Sequence, residues 1–296
     1  MSFFSNIGLI GRRSSESTKY SLNRLISFLE KKNIRIFLDE DTSEVLPQGK
    51  LPTKTRKELA AICDLVIVVG GDGSLLSAAR AFAGHDIKLL GINRGRLGFL
   101  TDISPEEIEH KVGEVLDGKF REEERFLLSS SVLRDGEKIA EGLALNDVVL
   151  HPGKFIRMIE FELFINEEFV CRQRADGLIV STPTGSTAYA LSVGGPIMYP
   201  GLNACVLVPM NPHTLSSRPI VVHGDANIKI VVCKSNELKP HVSCDGQTHV
   251  VTQPNDIVMV EKSARKLKLI HPEGHNFYET CRSKLGWVNQ TGNGAK

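Results

Sequence analysis

The stretch that most constrains the fold is an apolar segment that runs directly into a glycine-rich turn. Leu65 to Val69 are five consecutive apolar residues, mostly β-branched, and Gly70-Gly71-Asp72-Gly73-Ser74 follows them. Such a run is typical of a strand buried in a parallel sheet. The apolar residues between Leu75 and Phe82 then have helical spacing. The sequence therefore predicts a strand–turn–helix unit with Asp72 at the carboxyl end of the strand.

Open α/β sheets bind ligands at the carboxyl ends of their strands, which is where this turn lies. Glycines let backbone N–H groups approach a polyphosphate closely, and the N-terminus of the following helix favours negative charge. Because a carboxylate is electrostatically unfavourable beside phosphates, Asp72 is expected to handle a proton or a metal ion. The alternative is an ordinary strand-to-helix turn capped by Asp72.

The composition is that of an ordinary globular chain and argues against several classes of protein. The chain has 296 residues, 41% of them hydrophobic, which is enough for two domains and a sizeable core. The formal net charge of +1 implies no bulk attraction to nucleic acid or to a membrane. No apolar segment approaches membrane-spanning length, and the first residues do not resemble a secretory signal.

The six cysteines are scattered along the chain, with no Cys-x-x-Cys pair. This usage fits reduced thiols better than a disulfide framework, and it argues against a structural zinc site. We therefore expect a cytoplasmic protein.

The first 120 residues alternate between strand and helix signals. Strands are expected at residues 7–10, 34–38, 64–69 and 88–92, and an amphipathic helix over residues 22–29. Ser104-Pro105-Glu106-Glu107 combines a capping box with proline at the first helical position, which predicts a helix start. The polar stretch through Pro47, Gly49 and Pro52 is expected to be a loop. This order predicts a doubly wound parallel sheet.

The pattern changes near residue 120. Short runs rich in valine, isoleucine and phenylalanine, separated by glycine, proline and asparagine, replace the helical periodicity up to about residue 260. They are expected as strands at residues 148–150, 159–165, 178–181, 228–233 and 257–260. We therefore predict a first domain over residues 1–120, a mostly antiparallel sandwich over 121–265, and a segment over 266–296 that returns to the first domain.

Three other stretches carry groups suited to binding. The turn from Gly91 to Leu100 contains Arg94 and Arg96, which could pair with phosphate oxygens or simply be solvated. The run from Thr182 to Tyr189 is rich in hydroxyls, suited to hydrogen bonding with a sugar or base, and its tyrosine offers a ring surface. Asn146-Asp147 places an amide beside a carboxylate, which suits ribose hydroxyls, although it could be an ordinary turn.

Three weaker candidates are interpreted structurally. Residues 113–119 nearly spell a P-loop, but Phe120 replaces the required Ser or Thr, and we reject that assignment. A lone His213 is more often a structural hydrogen-bonding group than a ligand. Asp245-Gly246-Gln247 is typical of a tight turn between strands, from which Gln247 could still reach a ligand.

Taken together, these motifs resemble those of the bacterial form of the NAD kinase family. The resemblance rests on residues 70–73, 91–93 with 97–100, 145–150, 174–177, 182–189 and 213–216, and it extends to Lys284-Leu285-Gly286-Trp287. The glycine–aspartate motif alone is shared with diacylglycerol and sphingosine kinases and resembles a phosphofructokinase loop. The run at Thr182–Tyr189, in one chain with Asn146-Asp147, is far more specific.

The resemblance implies ATP-dependent phosphorylation of the 2′-hydroxyl on the adenosine ribose of NAD, which gives NADP. It also implies a Rossmann-like, phosphofructokinase-like first domain, a β-sandwich second domain, and a dimer or tetramer of identical chains. Mg²⁺ or another divalent metal is expected to arrive with the nucleotide, and no metal ligand is assigned.

The resemblance also implies roles for individual residues. Asp72 matches the proton acceptor of the family, and Gly73 matches the backbone beside it that contacts substrate. Asn146 and Asp147 match the pair that meets the ribose, although the family usually has Asn-Glu there. Asp176 matches the acid at the nicotinamide end. The remaining implied contacts are Thr187, Ala188, Tyr189, Ala190, Leu191 and Ser192 on the adenine side, and, less strongly marked, Arg157, Arg174 and Gln247.

Two other classes of function remain open at this point. A lipid kinase could share the glycine–aspartate loop, but it would need an apolar pocket or a membrane-facing surface. A non-catalytic dinucleotide-binding regulator would bind NAD without turnover, and the intact Asp72 argues only weakly against it.

Overall fold

The structure is a computed structural model that describes residues 2–12, 16–46, 51–94, 98–154 and 157–287. The chain divides into two compact units. The first unit contains residues 1–123 and 267–296, and the second contains residues 124–266. The chain therefore crosses from one unit to the other twice.

The strands in chain order are β1 (Asn6–Gly11), β2 (Arg35–Asp39), β3 (Thr53–Lys54), β4 (Leu65–Val69), β5 (Lys88–Ile92), β6 (Phe120–Arg134), β7 (Glu137–Ala144), β8 (Asp147–His151), β9 (Ile159–Ile165), β10 (Glu168–Ala175), β11 (Gly177–Ser181), β12 (Ala204–Met210), β13 (Ile220–His223), β14 (Ile228–Val232), β15 (His241–Cys244), β16 (Thr248–Val251) and β17 (Ile257–Pro272). The helices are α1 (Glu16–Lys31), α2 (Glu40–Ser43), α3 (Arg56–Ile62), α4 (Asp72–Phe82), α5 (Ile108–Leu116), α6 (Tyr189–Ser192) and α7 (Phe277–Leu285). Two 3₁₀ turns cover Pro105–Glu107 and Gly185–Thr187.

The first unit is built on a parallel sheet, as the alternating pattern predicts. Its strand order is β17-β5-β4-β1-β2-β3, and each neighbouring pair is parallel. Strand β4 is central, and all five of its residues are buried. A strand covered on both faces has no solvent side, which is why this segment is apolar at every position rather than at alternate ones.

Helices α1 and α5 cover one face of this sheet. Their apolar residues, including Leu22, Leu25 and Val112, share one core with Leu9 of β1 and Ile67 of β4. The spacing of Leu22 and Leu25, one turn apart, places both on the helix face that meets the sheet. The amphipathic helix predicted over residues 22–29 is confirmed.

The helix start near residue 105 differs from the expected capping box. Residues Pro105–Glu107 form a 3₁₀ turn, in which the Glu107 N–H donates to the Ser104 carbonyl at 3.1 Å. The Ser104 hydroxyl therefore has no backbone N–H to accept and instead donates to Glu107 Oε2 at 2.6 Å. A complete capping box is present at the start of α3, between Thr55 and Glu58.

The loop expected around residues 47–52 lies partly outside the described residues, which omit 47–50. The described segment after it was not anticipated as a strand, yet Thr53–Lys54 pairs with the end of β2 as β3. Two residues carry too little pattern for a sequence-based assignment, because pairing rather than periodicity places them in the sheet.

The second unit is a β-sandwich, as expected. One sheet has the order β10-β9-β14-β17, with β6 paired to β17 and β7 paired to β6. The other sheet has the order β13-β12-β11-β8-β15-β16 and is antiparallel throughout. Phe161 of β9 and Ile230 of β14 share one core with Leu150 of β8 and Val180 of β11, which joins the two sheets.

The second sheet is also covered on its outer face. Val149 of β8 and Ile179 of β11 point away from the shared core and pack with Ala190 and Met198. The segment after β11 therefore folds back across the outer face of its own sheet. This coverage explains why β8 and β11 are apolar at consecutive positions. Asp147 is the first residue of β8, and Asn146 immediately precedes it.

Among the described residues, no helix is long and apolar enough to cross a membrane.

Candidate active site

Asp72 is the first residue of α4, directly after the turn that ends β4. Its carboxylate accepts hydrogen bonds from the backbone N–H groups of Phe99 at 3.0 Å and Leu100 at 3.2 Å. The Thr101 hydroxyl lies 3.4 Å from the same carboxylate. The side chain is therefore held by the loop that follows β5 rather than capping its own helix, and no side-chain cap is formed at this helix N-terminus.

Close approach of this loop requires glycine at position 98. A Cβ atom at Gly98 would lie 2.0 Å from Asp72 Oδ1 and 2.4 Å from Thr101 Oγ1. Neither distance is possible for real atoms, so any larger residue would displace the carboxylate. By contrast, Gly71 and Gly73 have open space where a Cβ would be. Open space beside Gly71 and Gly73 leaves their backbone accessible to a ligand.

A cavity of about 400 Å³ lies at this turn within the first unit. It is lined by Ile10, Gly11, Arg12, Asp41, Arg56, Gly71, Gly73, Ser74 and Ser77. Two guanidinium groups and the N-terminus of α4 make it suited to an anionic ligand. Arg56 donates to Ser77 Oγ at 2.9 Å and lies 3.5 Å from the buried Asp39. Burial raises the pKa of Asp39, and Arg56 opposes that shift.

The arginine-bearing turn after β5 is only partly described. Arg94 is half-buried, whereas Arg96 lies outside the described residues. Their predicted contact with phosphate therefore stays a prediction. Arg12 and Arg56, which do line the cavity, were not singled out from the sequence because neither lies in a recognised binding motif.

The second unit contains a larger cavity of about 670 Å³. Its lining includes Asn146, Asp147, Val149, His151, Pro152, Gly153, Arg157, Asp176, Ala188, Tyr189, Val193, Met210, Asn211, Ser243, Asp245 and Gly246. The fold thus brings together residues from five separate stretches of the chain. Six of them were singled out from the sequence: Asn146, Asp147, Arg157, Asp176, Ala188 and Tyr189.

Asp245, in the turn between β15 and β16, holds the Asn146-Asp147 pair in place. Its carboxylate accepts the backbone N–H groups of Leu145 at 3.1 Å, Asn146 at 2.8 Å and Asp147 at 3.3 Å. The turn itself was expected, but the role of Asp245 was not. Its only sequence signal was a carboxylate at the first position of a tight turn, where such a side chain commonly binds backbone N–H groups.

Asp147 is 5% exposed, and burial together with the nearby charge of Asp245 raises the pKa of its carboxyl to about 7. Near neutral pH this group can therefore be protonated and can donate a hydrogen bond as well as accept one. Beside it, the Asn146 side-chain oxygen is buried and makes no hydrogen bond among the described residues. The pair offers unused hydrogen-bonding capacity to a ligand hydroxyl.

The hydroxyl-rich run after β11 is used mainly to build the site. Thr182 Oγ1 donates to the Leu145 carbonyl at 2.6 Å, and Ser186 Oγ donates to the Pro183 carbonyl at 2.7 Å. A Cβ at Gly185 would lie 2.2 Å from the carbonyl oxygen of Asn146, so this turn packs directly on the Asn146 backbone. These buried hydroxyls satisfy the backbone instead of facing the cavity.

Tyr189 follows that run and is 45% exposed at the cavity, so it is not a core residue. Asp176 lines the same cavity and accepts a hydrogen bond from the Asn211 side-chain amide at 2.9 Å. Arg174 lies elsewhere, in a neighbouring depression of about 490 Å³ that it shares with Arg157 and Glu160. Strand β10 ends at Ala175, so strand alternation does not carry Arg174 and Asp176 to one face.

The other residues singled out have different surroundings. Thr187 Oγ1 donates to the Thr184 carbonyl at 3.3 Å, and Ala190 is part of the apolar core. Leu191 is half-buried and Ser192 exposed in α6, and Gln247 lies in the turn after β15. Gly73 lines the cavity of the first unit. The roles of all these residues in ligand binding stay predictions.

His151, which was not singled out from the sequence, lies on the cavity wall near two other histidines. The ring centroids of His151 and His241 are 5.7 Å apart, and those of His151 and His249 are 6.2 Å apart. Burial, followed by the charges that His241 and His249 would carry, lowers the pKa of His151. Its Nδ1 accepts the Gly153 N–H at 3.2 Å, so the uncharged ring carries its proton on Nε2 and can donate one further hydrogen bond.

The two units match two family models. Residues 7–120 match the ATP-NAD kinase N-terminal domain, and residues 145–272 match the ATP-NAD kinase C-terminal domain. The chain belongs to the NAD kinase family. An NAD kinase of Teredinibacter turnerae is 68% identical over 99% of this chain and 100% of its own length. An NAD kinase of Saccharophagus degradans is 68% identical over 99% of each chain.

Solved structures of NAD kinases have the same fold. A yeast NADH kinase complexed with NADH superposes with a TM-score of 0.87 at 24% identity, covering 99% of this chain and 90% of its own. An NAD kinase from Archaeoglobus fulgidus in complex with ATP gives a TM-score of 0.75 at 27% identity, covering 94% of this chain and 99% of its own. The chain is a kinase of this family, whose reaction is the ATP-dependent phosphorylation of NAD to NADP. The comparisons give no support to a lipid kinase.

Proposed function

We propose that the second unit binds NAD in its 670 Å³ cavity and that the first unit binds ATP at the Gly70–Gly73 turn. The observation that carries this assignment is the Asn146-Asp147 pair. The buried Asn146 oxygen makes no hydrogen bond among the described residues, and the Asp147 carboxyl has a pKa raised to about 7. An acceptor beside a group that can donate near neutral pH suits vicinal ribose hydroxyls.

Asp72 is proposed as the general base. A ribose hydroxyl is a weak nucleophile at neutral pH. As the bond between the 2′-oxygen and the γ-phosphorus forms, Asp72 accepts the hydroxyl proton, while the bond from the γ-phosphorus to the bridging oxygen breaks and ADP leaves. The N–H groups of Phe99 and Leu100 and the Thr101 hydroxyl take up three of the roughly four acceptor positions of the carboxylate, which leaves one for the hydroxyl proton.

The phosphoryl donor is proposed to enter as its magnesium complex. The cavity at the turn offers guanidinium groups from Arg12 and Arg56, one carboxylate from Asp41 and hydroxyls from Ser74 and Ser77. Mg²⁺ usually keeps several waters and binds through one or two carboxylates together with substrate phosphates. This donor set fits an ion held chiefly by the nucleotide, and the ion would neutralise charge on the transferred group.

The chain is also proposed to act as a dimer or tetramer in the cytoplasm. The six cysteines are all free thiols, as expected in a reducing compartment.

Strand β13 lies at the edge of its sheet and exposes Ile220 and Val221, and Leu215 just before it is 94% exposed. Apolar residues on a sheet edge favour association with another chain. Light scattering of Val221→Lys against the wild type would test this, with a lower mass expected for the variant.

A coupled assay tests the reaction. Purified protein with ATP and Mg²⁺ is expected to convert NAD to NADP, detected with an NADP-specific dehydrogenase, and to leave micellar diacylglycerol unmodified. Tight NAD binding without NADP formation would instead favour a non-catalytic regulator.

Asp147→Ala is expected to raise the Michaelis constant for NAD much more than that for ATP. Equal effects on both substrates would contradict the assignment of the cavity to NAD.

A further inference from the structure

The loop that holds Asp72 is itself anchored within the first unit. On one side, the Asp102 N–H donates to the Gly91 carbonyl at 3.3 Å, and Ile103 forms a parallel bridge with Ile92. These bonds join the end of the loop to β5. They leave the orientation of the preceding residues, including Phe99 and Leu100, dependent on further contacts.

The Asp102 side chain supplies such a contact on the other side. Its Oδ2 accepts a hydrogen bond from Nδ1 of His271, near the end of β17, and its Oδ1 faces Nδ1 of His275 at 3.4 Å. His271 is 1% exposed, and its Nε2 faces Glu123 Oε2 at 3.7 Å. A buried imidazole thus lies between two carboxyl groups and ties β17 to the loop.

These side chains also have the composition of a metal site, since the donor atoms of Asp102, His271 and His275 lie within 4.8 Å of one another. The ring geometry argues against that use. The two imidazole rings are stacked, with centroids 4.1 Å apart and planes inclined by only 16°. Ring lone pairs lie in the ring plane, so nearly parallel stacked rings do not direct them at one ion. The geometry fits an imidazole N–H of His271 that donates to the Asp102 carboxylate, with the His275 ring stacked on that of His271.

We propose that His271 is a positioning residue for the phosphoryl transfer. It acts through Asp102 to orient the loop over residues 98–102, whose N–H groups hold Asp72. The proposal rests on the proposed function, because it assumes that Asp72 is the base. His271 and Asp102 are 169 positions apart. The contact therefore depends on the return of the chain to the first unit, and it couples β17 to the base.

The physical argument is the cost of leaving Asp102 without its donor. The Asp102 side chain is 9% exposed, and a buried carboxylate that loses a hydrogen bond moves toward water or another partner. Only Thr101 separates Asp102 from Leu100, so such a movement displaces the N–H groups that hold Asp72. An error of about 1 Å in the placement of a catalytic group can reduce the rate by about 100-fold.

Two substitutions of similar polarity separate positioning from a general structural role. His271→Asn places an amide N–H close to the position of Nδ1 and keeps the donor to Asp102. His271→Gln places it near Nε2, toward Glu123, and leaves Asp102 without that donor. We expect kcat within about threefold of wild type for His271→Asn and a loss of about 10- to 100-fold for His271→Gln, with KM for NAD changed less than threefold in both.

Two other variants complete the experiment. Lys268→Ala, on the same strand, removes an exposed ion pair with Asp86 and should leave kcat unchanged. Asp102→Asn weakens the contact from the loop side and should lower kcat in the same way, which keeps the test valid if His271→Gln does not fold. Circular dichroism at the assay temperature gives the folded fraction of each variant, and each kcat is calculated per folded protein molecule.

Several outcomes would overturn the proposal. Equal kcat values for His271→Asn and His271→Gln, or a normal kcat for Asp102→Asn, would mean that the contact does not position the base. One zinc ion per chain that survives dialysis and is lost in His271→Asn would make these residues metal ligands instead. If Asp72→Asn retained full activity, the proposed function of Asp72 would fail first, independently of the His271 variants.

Discussion

Asp147 donates its backbone N–H to the carboxylate of Asp245, while its own carboxyl group is buried near that negative charge. The same Asp245 therefore fixes the backbone of the Asn146-Asp147 pair and, after burial, contributes to raising the pKa of Asp147 to about 7. Positioning and electrostatic tuning come from one side chain. Both effects are measurable.

The first prediction concerns stability against pH. The Asp147 carboxyl titrates near 3.8 when exposed and near 7 in the folded protein, so between these values the folded state binds more protons. The free energy of unfolding therefore loses the Asp147 contribution as pH rises from about 4 to 7. Asp147→Asn has no titrating group at this position and therefore does not lose this contribution. The free energy of unfolding of Asp147→Asn minus that of wild type should increase by about 2–3 kcal/mol from pH 5 to pH 8.

Urea unfolding of both proteins in matched buffers measures this difference, and other titrating groups cancel in the comparison. A difference that stays constant across the range would show that Asp147 ionises like an exposed carboxyl.

The second prediction concerns the base. Asp72→Asn keeps the size of the side chain but cannot accept the hydroxyl proton, so turnover should fall by roughly 10²–10⁴-fold. NAD binding should persist, because the NAD cavity assigned here lies in the second unit. Steady-state kinetics and equilibrium NAD binding are measured together, with the exposed Asp86→Asn as control. A variant with more than half of the wild-type rate would exclude Asp72 as the base.

The third prediction concerns Tyr189, which is 45% exposed at the cavity. Tyr189→Ala should raise the Michaelis constant for NAD more than it lowers kcat, with little change in Tm, because an exposed ring contributes to binding more than to packing. Tyr189→Phe separates the ring from the hydroxyl. Tyr199→Ala, a similarly exposed tyrosine of the same unit that is not part of the cavity lining, is the control. Lost stability with unchanged substrate affinity would contradict the prediction.

The fourth prediction concerns the choice between oxidised and reduced dinucleotide. NAD carries a cationic nicotinamide ring and NADH does not, so a carboxylate at Asp176 should favour NAD. Asp176 lines the cavity, whereas Arg174 lies in the neighbouring depression. We expect the ratio of specificity constants for NAD and NADH to exceed one and to fall in Asp176→Asn. Charges outside the cavity are screened, so Arg174→Gly should change this ratio less.

Specificity constants for both substrates in the three proteins test this prediction. Equal use of NAD and NADH by the wild type would refute the preference itself. A larger change in Arg174→Gly than in Asp176→Asn would move the determinant from the cavity to the depression.

Much of the fold could be predicted because apolar periodicity records burial. The all-apolar segment at Leu65–Val69 is the central strand β4, and the change of pattern near residue 120 marks the change from a parallel sheet to a sandwich. The prediction was wrong where strand pairing or a local hydrogen bond outweighed the sequence pattern. Thr53–Lys54 is held in the sheet by β2 alone, and Ser104 lost its cap because a 3₁₀ turn used the N–H that it would have accepted.

The candidate site was less predictable, because residue types do not reveal which partner they use. The hydroxyls of Thr182 and Ser186 suggested ligand contacts, but in the folded chain they bind carbonyl oxygens. Arg174 and Asp176 are only two positions apart, yet strand β10 ends between them and they line different depressions. Asp245 and His271 were not singled out, because each acts on a segment about 100 or more positions away.

The sequence by itself determined the strand–turn–helix unit at Asp72, the two kinds of domain and the family, because glycine turns, apolar periodicity and short motifs are local properties of the chain. Tertiary structure alone decided which groups hold and tune the site. The absence of a side chain at Gly98 leaves room for the Asp72 carboxylate. Asp245 fixes the backbone at Asp147, and burial raises the pKa of the Asp147 carboxyl. These effects depend on distance and solvent exclusion between remote segments, and neither quantity is encoded in any single stretch of residues.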